Sequence, residues 1–101
     1  MDYSTMFPKL LELQMLVSEQ VKLALRLSQK QALSVRWQES GELSRHRRDE
    51  HLAYWDHESF LRHQEEYQQE VREAQAAYDE VCDKITTLKN EIDTAILIAT
   101  R

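Results

Sequence analysis

Ten residues in the second half of the chain constrain its fold more than any other feature. Tyr67, Val71, Ala74, Tyr78, Val81, Ile85, Leu88, Ile92, Ala95 and Ala99 follow one another in alternating steps of four and three. That spacing puts them on one stripe of an α-helix, with Val71, Tyr78, Ile85, Ile92 and Ala99 at heptad position a and the others at d. The pattern predicts a long helix that buries one edge along its whole length.

The turn-forming residues agree. One Gly and one Pro in 101 residues are too few for the frequent reversals of a β fold, so the chain reads as all-α. Its length fits a single domain over 1–101. With 42% hydrophobic and 31% charged residues it is too apolar for a disordered tail and too charged for a membrane span. The uncharged stretches 13–18 and 94–100 are too short to cross a bilayer, and neither has the layout of a secretory signal.

The first half predicts a second long helix. Ser4 or Thr5 can cap it, Pro8 suits its first turn, and nothing interrupts it over about 8–39. Leu10, Leu11, Leu13, Met15, Leu16, Val17, Val21, Leu23, Ala24, Leu25 and Leu27 leave only a narrow polar stripe through Glu12, Glu19, Lys22, Arg26, Gln29 and Lys30. A surface helix is apolar on a minority of its circumference, so this one needs several neighbours. Gly41 is the usual kind of helix stop, which puts the reversal near 40–44 and the second helix over about 45–100, with the polar stretch Ser44 to Glu58 as the alternative place for the turn.

Charge decides how the seam is used. A parallel two-stranded coil would set Glu70 against Gln75, Ala77 against Cys82, Lys84 against Lys89 and Glu91 against Ile96. One of these pairs repels and none attracts. An antiparallel helical hairpin fits better, and pairing two hairpins into a four-helix bundle would cover the rest of the first helix. The partners expected are therefore a second copy of the chain, another helical protein, or both. The residues expected to carry protein interaction are Leu10, Leu13, Leu16, Val17, Leu23 and Leu27 on helix 1, with Tyr67, Val71, Tyr78, Val81, Ile85, Leu88 and Ile92 on helix 2.

Other chemistries find weaker support. Arg45, Arg47 and Arg48 stand near Tyr54 and Trp55 and could touch nucleic acid, but Asp49, Glu50, Asp56 and Glu58 offset them. The net charge of −5 also disfavours phosphate binding. His46, His51, His57 and His63 are spaced by five, six and six, so no adjacent pair shares a helix face as metal ligands would, and no metal is expected. Cys82 lies among Asp79, Glu80 and Asp83, an unsuitable setting for a reactive thiolate. With one glycine the chain cannot build a phosphate cradle, so neither an enzyme nor a cofactor is expected. Trp37 and Trp55 flank the proposed turn and suit packing at the end of a bundle more than a binding hot spot. A single cysteine fits a reducing compartment, hence the cytoplasm.

The function this predicts is protein interaction by helix packing, as in a small coiled-coil adaptor, chaperone or inhibitor. A dimeric regulator touching nucleic acid through the arginines, or a structural oligomerisation segment of a larger assembly, are the alternatives.

Overall fold

The structure is a computed structural model that describes the backbone of residues 4–46 and 57–100 and the side chains of 4–42 and 58–100. Its described secondary structure is helical throughout: α1 spans Phe7–His46 and α2 spans His57–Ala99. The two helices pack against each other.

Helical bonding in α1 starts beyond Ser4 and Thr5, where the Leu10 N–H donates to the Met6 carbonyl at 2.9 Å. Met6 is held there by its side chain, which is buried against Leu88 and Ile92. Pro8 falls in the first turn, where its missing N–H would have had no intrahelical partner. Glu58 begins α2 with a negative charge at the positive end of the helix dipole. At its other end, the Thr100 hydroxyl donates to the carbonyls of Ile96 and Leu97, at 2.9 and 3.2 Å. The Ile96 carbonyl also accepts the Thr100 backbone N–H at 2.9 Å, so the hydroxyl reinforces the last turn.

The reversal expected at 40–44 does not occur there. α1 continues through Gly41 to His46, and α2 begins at His57 rather than near residue 45. The link, 47–56, lies outside the described residues. Gly41 has a different task from stopping a helix: a Cβ built on it would run into the Phe60 ring, at Cε2 and Cζ. The absent side chain is what admits that ring.

The chain divides into two compact units, Met1–Leu25 with Ala76–Arg101 and Arg26–Gln75. In each, a segment of α1 lies antiparallel to a segment of α2. In the first unit Lys9 pairs with Glu91 while Gln20 meets Cys82. In the second, Lys30 pairs with Glu70 while Trp37 meets Phe60. Numbers rise along one helix as they fall along the other, which is the antiparallel pairing the charges called for.

Burial follows the heptad. All ten seam residues of α2 are buried or half-buried. On the α1 side the covered residues are Met6, Lys9, Leu13, Leu16, Gln20, Leu23, Leu27, Lys30, Ser34, Trp37 and Gly41, again in steps of three and four. The core of the first unit is Met6, Leu88 and Ile92, with Leu13, Leu16 and Ala95 packed on it. No described side chain is sealed completely from solvent.

Candidate interaction surface

The seam of α1 occupies heptad positions a and d, and that register fixes where its other apolar residues point. Phe7, Leu11, Val21 and Leu25 follow a second line of steps of four and three, together with Gln14 and Ser18, on the side of the helix nearly opposite the seam. Met15 and Val17 flank this line, one on each side. α2 leaves all of these apolar residues uncovered: Met15 is 73% exposed, Phe7 and Val21 63%, and Leu25 61%. The helix therefore has two apolar faces, one packed against α2 within the first unit and one facing solvent. Glu12, Glu19, Arg26 and Lys22 form the polar strip between them.

The residues expected to carry interaction divide accordingly. Leu13, Leu16, Leu23 and Leu27 are half-buried on the seam of α1, and Tyr67, Val71 and Tyr78 are half-buried on α2. Val81, Ile85, Leu88 and Ile92 are buried. These eleven are turned to the chain's own helix pairing. Leu10 and Val17 stand in the open on the outer side of α1. Phe7 lies just before the helix start expected from the sequence, and hydrophobicity alone does not separate Leu11, Met15, Val21 and Leu25 from the seam. The seam register of α1 is the signal that sorts them.

In the second unit Trp37 organises an aromatic cluster. Its ring stacks on Phe60 at 5.5 Å and meets His63 and Tyr67 at 5.3 and 5.6 Å. The indole N–H donates to the Phe60 carbonyl at 3.2 Å. His63 is fixed by its Nδ1–H, which donates to the Ser59 carbonyl at 2.7 Å. Trp37 is thus a packing residue, as expected; Trp55 lies outside the described residues. So do Arg47 and Arg48, His51, and the side chains of Arg45, His46 and His57.

Polar groups on the seam are matched across it. The Gln20 amide donates to the Cys82 sulfur at 3.3 Å. Cys82 is half-buried and also engages the Tyr78 hydroxyl. That hydrogen bond, with the charge the thiol can carry beside it, holds Tyr78 above its ordinary value of 10.0. Lys30 reaches Glu70 at 3.3 Å. Among the described residues, no group of three His, Cys, Asp or Glu side chains could hold a metal ion. No described helix is long and apolar enough to cross a membrane. The surface of the first unit has a groove of about 370 Å³ whose lining includes Glu12, Glu80, Asp83, Lys84 and Glu91. In the second unit a groove of about 320 Å³ lies between Gln31, Ser34 and Val35 of α1 and Gln68, Val71 and Arg72 of α2. Both are open troughs beside the helix seam. No protein-family model matches the sequence, and no match is found among curated proteins or solved structures.

Proposed function

We propose that this chain is a non-enzymatic protein-interaction module, an adaptor, chaperone or inhibitor that works by packing a helix face against another helix. The observation that carries the reading is the solvent-facing apolar line of α1 at Phe7, Leu11, Val21 and Leu25, on a helix whose opposite needs are already met by α2. Isolated exposed apolar residues are ordinary on a protein surface, but a contiguous line of them is a mark of recognition. The geometry is that of an amphipathic helix offering Phe7 and Leu11 at i and i+4 and Val21 and Leu25 two heptads on, with Met15 and Val17 beside the polar step between them.

A photo-crosslinking residue placed at Met15, the most exposed of these positions, tests the reading in the cells that make the protein. A discrete adduct with one protein is expected there, and it should vanish when Val21→Glu is added. The same probe at Glu73, on the solvated side of α2, should give none. Absence of any discrete adduct at Met15 would defeat the reading.

A further inference from the structure

We propose that the outer face of α1 in the first unit binds the same face of a second copy of this chain, the two helices antiparallel about a two-fold axis beside Leu16. This rests on the interaction-module reading and names its partner. A two-fold interface requires that whenever one residue meets another, the second also meets the first. The exposed face satisfies that requirement. Phe7 and Leu25 are equally far from Leu16 along the chain, and so are Leu11 and Val21, and Met15 and Val17. Phe7 therefore comes opposite Leu25 and Leu11 opposite Val21, while Met15 and Val17, on opposite flanks of the line, each come beside their own copy.

The polar members of the face obey the same symmetry. Gln14 and Ser18 are equidistant from Leu16, so an amide comes opposite a hydroxyl at the centre, where each can hydrogen-bond the other twice over in the pair. One polar step in an otherwise apolar line is the device that fixes register between helices. Lys22 lies on the flank of the line that bears Met15, where its methylenes can cover apolar surface while its ammonium stays in water. No like charges meet. Area agrees as well. The six apolar side chains, 41% to 73% exposed, offer about 600 Å² per copy, or about 1,200 Å² for the pair, where stable specific interfaces begin.

The test is light scattering over a range of concentrations, with circular dichroism, on the full chain and on Leu11→Glu and Val21→Glu. The wild type is expected at twice its 12.0 kDa mass. Each variant should fall to the single mass and keep its helicity, because both positions lie off the seam. If one variant loses helicity, the other decides. Cysteine pairing checks the register. In a Cys82→Ser background, Gln14→Cys mixed with Ser18→Cys should form a disulfide between the two, and neither should do so alone. A fully helical wild-type monomer at every concentration would overturn the proposal, as would a dimer that both variants leave intact. A disulfide within each variant alone and none in the mixture would overturn it too. A Met15 adduct with a different protein, on a monomeric chain, would sink self-pairing and leave the interaction-module reading standing. No adduct at all would sink both.

Discussion

Inside a helix, alanine normally outranks glycine by about 1 kcal/mol, so Gly41→Ala should stabilise α1 on propensity alone. The structure reverses that expectation. The new Cβ would run into the Phe60 ring, and Phe60 has little room to yield: its ring is stacked on Trp37 and its carbonyl holds the Trp37 indole. Overpacking of this kind costs about 1–3 kcal/mol, which outweighs the gain. Gly41→Ala is therefore expected to lower the unfolding free energy by roughly 1 kcal/mol net, read as a lower urea midpoint. Phe60→Leu added to it should recover part of the loss, and a stabilised single variant would show that the close approach is not real. Sequence reasoning took Gly41 for a helix stop because glycine's local preferences say nothing about a ring arriving from the other helix. Phe60 itself was within reach. Phe60 and Gln64 continue the steps of four and three backwards from Tyr67, so the stripe reaches Phe60 across one polar residue.

The two helices encode their pairing in unequal ways. In α2 every seam position from Tyr67 to Ala99 is apolar or aromatic, so the stripe can be read from spacing alone. In α1 the same stripe contains Lys9, Gln20, Lys30 and Ser34, and many apolar residues stand off it. Hydrophobicity therefore shows that α1 needs neighbours on several sides, yet it hides which side meets α2. The hidden information is in partners: in the first unit Lys9 answers Glu91 and Gln20 answers Cys82 in antiparallel register, and in the second Lys30 answers Glu70. The same exposed ion pairs add little to stability, on the order of 0–1 kcal/mol each, and their value lies in fixing that register. The apolar members carry the stability. Ile85 is 6% exposed, and Ile85→Asp would place an unpaired charge in the thin core of the first unit. A large loss of helicity by circular dichroism is expected, with Ile85→Ala costing about 2–4 kcal/mol. An Ile85→Asp chain that kept its helicity would mean that the seam is not what holds the helices.

For the molecule as a whole, α2 covers one side of α1 in the first unit and leaves Phe7, Met15, Val21 and Leu25 61% to 73% exposed, which is the physical reason to look for a partner. Stability is also expected to be uneven along the chain. In the first unit α2 brings Val81, Ile85, Leu88 and Ile92 to the seam, all buried. In the second unit the seam includes Lys30, Ser34 and Gln64, and its aromatic cluster lies toward one end. Local opening follows the density of buried apolar contacts, so amide hydrogens of 81–92 should exchange slowest. Those of 64–71 should exchange at least about tenfold faster, a difference on the order of 1.4 kcal/mol in opening free energy. Equal protection along both stretches would show that α2 opens as one cooperative piece, whatever its local packing. The same experiment carries information about the outer face. Backbone amides of 11–21 are protected by the seam of their own unit, and covering the outer line should add protection beyond what that seam gives. With Val21→Glu the extra protection should disappear from 11–21 and leave 81–92 as it was, because the core of the first unit is made by Met6, Leu88 and Ile92 and does not involve Val21.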